Sequence, residues 1–173
     1  MIQNSDPSLE DLDVIDCDNR PVRQATKRDI YVQRLSHRIV HVFVLRGDQI
    51  FIQKRGISVA YLPGHYCTSA GGHVLAGEHP DAAAPRELRE ELSLDGPVEK
   101  IAEFWFDDTC RVRIYLYVKR MIDDEEMRFC PREVSGGEFV HLAQVEQLDR
   151  TLWHPQLEPC LDHLRSWTKN HAS

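Results

Sequence analysis

The run His37 to Leu45, HRIVHVFVL, constrains this chain most: it is dense in β-branched residues and passes through Arg46-Gly47-Asp48 into Ile50-Phe51-Ile52. Branched side chains suit a pleated surface, and a short glycine-containing connection between two such runs reads as a hairpin. Upstream, Leu12 to Cys17 and Pro21 to Ala25 read as short strands about a turn at Asp18-Asn19-Arg20. Thr26, three positions before Asp29, then opens a short helix to about Arg34. Downstream, Ile101 to Phe106, Val112 to Val118 and Glu138 to Leu142 read as strands. Pro80 to Leu92 and Pro155 to Lys169 read as helices, the second with Leu157, Leu161, Leu164 and Trp167 on one stripe. Strands in the middle, with helices at one break and at the C-terminus, predict a mixed sheet flanked by helices in an α/β (α+β) fold, not a regular βαβ repeat.

A length of 173 residues suits one domain over 1–173, with a loose tail at 1–9 and an N-terminal β-hairpin extension at 10–35. The net charge of −7 disfavours binding to a nucleic-acid polymer. A small phosphorylated ligand stays compatible, because bound metal ions reverse the field locally. The opening MIQNSDPSLEDLD lacks the basic and apolar regions of a secretory signal, and no run reaches the length of a membrane span. Cys17, Cys67, Cys110, Cys130 and Cys160 are widely spaced and form no CxxC pair, which suits reduced thiols. These features predict a cytoplasmic protein with no membrane partner, as a monomer or homodimer.

Chemistry concentrates in GGHVLAGEHPDAAAPRELREELSL, Gly71 to Leu94. On a helical wheel with Leu88 at zero, Ala84 and Leu92 fall about 40° to either side, while Glu91, Glu87 and Glu90 lie at roughly −60°, −100° and −160°. Three clustered carboxylates repel one another. They form either a solvated acidic face or ligands for a hard cation such as Mg²⁺, which takes carboxylate, water and phosphate oxygens. The helix alone supports both readings. Its neighbours favour the second: Gly71-Gly72 permits close backbone approach to a ligand, and Glu78, eight positions before Arg86, is placed to pair with it.

The segment resembles the signature of the Nudix hydrolases: Gly, five residues, Glu, seven residues, Arg-Glu, an aliphatic residue, any residue, Glu-Glu, any residue, Gly, aliphatic. Gly72, Glu78, Arg86, Glu87, Leu88, Glu90, Glu91 and Leu94 fall on those positions, and Ser93 replaces the glycine. The resemblance implies an α/β/α sandwich and Mg²⁺-dependent (or Mn²⁺-dependent) hydrolysis of a diphosphate linkage in a nucleoside diphosphate derivative or similar metabolite. By position it makes Glu87, Glu90 and Glu91 metal ligands, with the Gly72 carbonyl in addition, and Glu78 and Arg86 orienting groups. Candidate bases outside the signature are Glu133 and Glu138, each read foremost as a surface residue. Pro85 stands inside the expected helix, where proline costs about 3 kcal/mol in a regular interior. The expectation is a kink before Arg86 or a regular part starting near Pro85, with Gly96 taking over the chain reversal from Ser93.

Arg55 and Lys54 follow a strand and are candidate diphosphate contacts, as well as solvated charges. Phe104, Trp105 and Phe106 read as core. His73 reads as a packed or solvent-facing side chain, and His37 and His41 as residues on one face of a strand. DVIDCDNRPV, ATKRD and HRIVHVFV together resemble the N-terminal part of isopentenyl diphosphate isomerases, relatives of the Nudix hydrolases that need a cysteine before the Gly-His of this segment. Here Gly71 occupies that position, and Cys67 lies four residues upstream. Isomerase is the second reading, and a non-catalytic Nudix binding module, which would have lost carboxylates, the third.

Overall fold

The computed structural model describes residues 7–122 and 125–171. Of the expected tail, residues 1–6 lie outside the described residues, and Pro7–Leu9 form a 3-10 turn. Strands β1 (Asp11–Ile15) and β2 (Pro21–Thr26) pair as an antiparallel hairpin. Helix α1 (Lys27–Gln33) starts where the Thr26 hydroxyl accepts a hydrogen bond from the Asp29 amide, as the spacing predicts.

The remaining strands form one mixed seven-stranded sheet: β3 (His37–Arg46), β4 (Gln49–Arg55), β5 (Tyr66–Cys67), β6 (Ala70–His73), β7 (Glu99–Asp107), β8 (Arg111–Arg120) and β9 (Val134–His141). The central order is β5-β4-β3-β8-β7, with β6 also on β3 and β9 also on β4; β3 and β8 run parallel. Helix α2 (Pro80–Leu92) covers one face and α3 (Leu157–His171) the other. Val40, Val42 and Val44 of β3 pack with Ala83, Ala84, Leu88 and Leu92 of α2. Ile39, Phe43 and Leu45 pack with Leu157, Leu161, Leu164 and Trp167 of α3. Because alternate strand residues face opposite ways, a strand buried on both faces must be apolar throughout. That is the origin of the unbroken run in the sequence.

β3 and β4 pair only near their connecting turn, at Leu45↔Ile50 and Arg46↔Gln49. Beyond it they part: β3 pairs with β6 over Ile39 to Val42, and β4 pairs with β5 at Gln53 and Lys54. Segment 66–73 therefore fills the opening and carries the glycine pair into the middle of the sheet. These two short strands escape sequence reading, since Tyr66-Cys67 and Ala-Gly-Gly-His lack the length and the β-branched residues that announce a strand. The expected strand at Glu138 to Leu142 starts earlier, at Val134, and ends at His141.

Helix α2 keeps the bounds read from the sequence, Pro80–Leu92, so its regular part does not wait for Pro85: the His79 ring nitrogen accepts from the Asp81 amide and Pro85 lies inside. The left-handed cap that the sequence reading moved to Gly96 is made by Ser93 itself, with φ 56°, and Gly96 adds a second positive φ, 102°, further on. Phe104 and Phe106 pack against the α3-side core, while Trp105 lies beneath the Arg111 and Arg113 guanidinium groups at 4.6 and 5.3 Å. The smaller cluster of Leu12, Val14, Ala25 and Ile30 packs the N-terminal hairpin against Leu35 and Leu75.

Candidate metal centre

The three carboxylates of α2 differ sharply in exposure, in the order of their angles from the apolar stripe. Glu91 and Glu87 are 5% and 7% exposed, whereas the Glu90 side chain is 54% exposed. Glu87 lies over β6 and Glu91 is bonded to β4. The Glu87 carboxylate sits so close above Gly72 that a Cβ there would come within 2.6 Å of its Oε2. On the sheet side, the Gln53 amide nitrogen donates to Glu91 Oε2 at 2.5 Å.

A third carboxylate arrives from far along the chain. Carboxylate oxygens of Glu87, Glu91 and Glu133 lie within 4.8 Å of one another. Glu133 is exposed, as its reading as a surface residue expects, and its carboxylate also reaches this cluster. The segment before β9 docks on the open end of α2, where the last carbonyls lack intrahelical partners: the Arg128 and Cys130 amides donate to Leu92 O and Glu91 O, each at 2.9 Å. The Gly56 amide donates to Glu133 O at 2.6 Å, and a side chain at Gly56 would collide with the Arg132 carbonyl at 2.5 Å. Glu138 is exposed on β9, opposite Ile52, and takes no part in the cluster.

Arg86 ties the surroundings together. Its Nε donates to Glu78 Oε1 at 2.8 Å and its Nη2 to Glu78 Oε2 at 2.9 Å. Nη1 reaches Glu87 Oε1 at 2.8 Å and Glu90 Oε2 at 3.2 Å, and Nη2 also meets the His73 carbonyl at 2.9 Å. Burial opposes this cation, yet Glu78 and Glu87 together raise its pKa. Glu90, the remaining ligand expected from the signature, is thus held by Arg86 and stands apart from the three converging carboxylates.

Burial pushes Glu87 up to about 7 despite the opposing charge of Arg86, and it pushes Glu91 well above the usual carboxylate range, with the Glu87 charge adding to it. Glu133 is raised as well, by burial of its carboxyl and then by Glu90. Buried like charges at this spacing are unfavourable unless a cation joins them. The donor set suits Mg²⁺: it is all oxygen, and metal–oxygen distances near 2.1 Å place two ligands at most about 4.2 Å apart, a short contraction from the spacing present.

Arg55 and Lys54 separate. Lys54 is exposed, pairs with Tyr66 and lies 5.8 Å from its ring, on the face opposite to Gln53. Arg55, beyond a register shift, donates from Nε to the Tyr61 carbonyl at 3.1 Å, and among the described residues no carboxylate pairs with it. His73 is packed: its ring stacks on His37 at 5.3 Å and meets the Tyr31 hydroxyl at 2.8 Å. His41 is buried beneath the other glycine, bonded to Thr68 and Gln156, and a Cβ at Gly71 would come within 2.8 Å of its Nδ1 and of Val40 O. A cleft of about 550 Å³ between Leu45, Arg120, His141 and Trp167 shares no residue with the centre, so converging carboxylates, not concavity, locate the chemistry.

The model of the NUDIX domain matches residues 35–164. An uncharacterized Nudix hydrolase of Yersinia pestis is 34% identical over 154 residues, covering 87% of this chain and 76% of the relative. The uncharacterized Nudix hydrolase YfcD of Escherichia coli is 35% identical over 108 residues, 61% of this chain; the match spans only 60% of that relative. An isopentenyl-diphosphate Delta-isomerase 2 of Photorhabdus laumondii is 33% identical over 146 residues, 80% of this chain and 81% of the relative. Among solved structures, the Deinococcus radiodurans protein DR0079 superposes with a TM-score of 0.76 at 28% identity, over 88% of this chain and 98% of that one. The NUDIX domain of Shewanella oneidensis NrtR, solved with ADP ribose, shares the fold at 14% identity and a TM-score of 0.63, over 82% of this chain and 98% of that one. Sequence, fold and the disposition of the signature residues agree: this chain belongs to the Nudix family of pyrophosphohydrolases.

Proposed function

We propose that this chain is a Mg²⁺-dependent hydrolase that cleaves the diphosphate linkage of a nucleoside diphosphate derivative or a similar small metabolite. The observation that carries this reading is the convergence of buried Glu87 and Glu91 with exposed Glu133, beside Gly72, where no side chain fits under Glu87. Glu87, Glu91 and Glu133 hold the cation, the Gly72 carbonyl is the further ligand that the resemblance implies, and Glu90 stands at the solvent edge. The bound dication supplies charge neutralisation at the diphosphate oxygens and acidifies the attacking water. Mn²⁺ satisfies the same oxygen donors.

The chain's own residues do the rest. Glu78 and Arg86 fix the loop before α2 and orient Glu87. Gln53 fixes one oxygen of Glu91, leaving the other for the cation. Arg55, which has no carboxylate partner among the described residues, recognises a phosphate as it enters. Glu133, the exposed carboxylate of the cluster, takes the proton from water with the oxygen it does not lend to the cation. The test is a chromatographic screen for the monophosphate products of nucleotide sugars, dinucleotides, coenzymes and oxidised nucleotides, with and without Mg²⁺. Turnover only with the metal is expected; turnover of a diphosphate in chelator overturns the reading.

The similarity to an isomerase keeps a second reaction in view. Against it, the place for a cysteine at position 71 is taken by the His41 ring, and burial pushes the Cys67 thiol up, away from the thiolate form. Incubation with isopentenyl diphosphate decides it: dimethylallyl diphosphate formed by the wild type and lost in Cys67→Ser reverses the ranking.

A further inference from the structure

Residues 11–15 stand before the matched domain, yet they touch the loop that leads into the metal centre. Leu12 bridges to Leu75, and the Ala76 amide donates to Asp11 O at 2.8 Å. Asp13 is only 8% exposed, and its Oδ2 accepts from the Gly77 amide at 3.1 Å. Gly77 holds a left-handed conformation, φ 73°, which glycine adopts freely. The Arg38 guanidinium lies 3.6 Å from the same carboxylate, but spends its nearer donors on Asn19.

From Gly77 the contacts run inward. Glu78, the next residue, accepts from Leu75 N at 2.9 Å and from Arg86, and Arg86 bonds Glu87. A buried acid at the start of the chain is thus joined by an unbroken path of hydrogen bonds and one peptide link to a carboxylate of the centre. Tyr31 of α1 makes an independent second tie, through the His73 ring, whose carbonyl Arg86 also holds.

We infer that Asp13 is a positioning residue: through the Gly77 amide, the N-terminal hairpin sets the conformation of loop 74–78, and thereby places Glu78 and Arg86 against Glu87. The hairpin is then part of the metal centre's construction and not an appendage to a finished domain.

Two measurements on the full chain test it, for Asp13→Ala and Asp13→Asn. The first is amide hydrogen exchange over residues 74–79. The second is Mn²⁺ affinity, from the free-ion signal in electron paramagnetic resonance. In Asp13→Ala, exchange over 74–79 is expected to speed up about fivefold or more, and Mn²⁺ to bind about fivefold more weakly, the size of one hydrogen bond's net contribution. In Asp13→Asn the side-chain carbonyl still accepts, and both effects shrink to about half on a logarithmic scale. Wild-type exchange in both variants overturns the inference, as does faster exchange with unchanged Mn²⁺ affinity. If Asp13→Ala does not fold, Asp13→Asn is judged by the same two criteria. The affinity arm rests on the metal reading above, whereas the exchange arm does not. A wild type that binds no Mn²⁺ therefore defeats that reading and leaves the loop contact to be decided by exchange.

Discussion

Glu91 carries the sharpest consequences of any single residue. It is buried beside another carboxylate, and Gln53 donates to one of its oxygens. Glu91→Gln is expected to lower turnover at least roughly a hundredfold, the usual scale for losing a group that holds the catalytic metal. Glu133→Gln should approach that loss. Glu90→Gln should cost no more than about tenfold, because its exposed carboxylate is engaged by Arg86 outside the cluster. Steady-state kinetics on a substrate from the screen measures all three, and a Glu90 effect larger than that of Glu91 would contradict the geometry. Gln53→Met keeps the volume and removes the donor, so Mn²⁺ affinity should fall about tenfold while the fold survives, in line with a hydrogen bond to a charged group. Of these residues, Glu87, Glu90 and Glu91 are legible in the sequence through the signature, and even their burial order follows from the wheel. Glu133 was legible only as one of two candidate bases, with nothing to prefer it to Glu138. No periodicity connects it to α2; what brings it there is a pair of backbone amides meeting the helix's last carbonyls, a contact available to any sequence.

Helix α2 shows how a local rule can be broken without harm to the site. Ser93 takes a conformation that glycine adopts freely and a residue with a Cβ resists. Ser93→Gly should therefore stabilise the protein by about 0.5–1 kcal/mol, with turnover unchanged. Thermal melting is the check, and a lower midpoint would mean that the serine side chain holds something the backbone reading omits. The long elements were readable because each buries a stripe or both faces against a core: the bounds of α2 match the predicted ones, and the strand alternation of β3 explains itself. The short β5 and β6 were not. Their place is dictated by the parting of β3 and β4, a tertiary event that leaves no mark within four residues of sequence.

At the scale of the whole molecule, the elevated carboxylates link stability, pH and metal. Folded Glu87 sits at about 7 against an ordinary value of 4.5, so between these values the folded state holds the extra proton. Stability from this group is complete below about 4.5 and declines as pH rises toward 7. A cation that displaces the proton reverses the penalty, so its effect grows with pH. At about a hundred times its Kd, Mg²⁺ contributes roughly 2.7 kcal/mol, which for a chain of this size raises Tm by about 5–10 °C. That shift is expected at pH 8 and less than half of it at pH 5.5, by calorimetry; equal shifts would disconnect Glu87 and Glu91 from the ion. The three-layer arrangement itself could be foreseen from the order of strands and helices, since two apolar-striped helices must cover the faces of a sheet. The glycine pair at its centre bears on how such a chain can diverge. One glycine is walled by a carboxylate and the other by His41, whose ring also fastens segment 66–69 and the residue before α3. A cysteine therefore cannot be acquired at position 71 in one step. The histidine must yield first, and with it two buried hydrogen bonds, so any path from this sequence to a thiol-bearing relative has to pass through a weakened intermediate or start with compensating changes at Thr68 and Gln156.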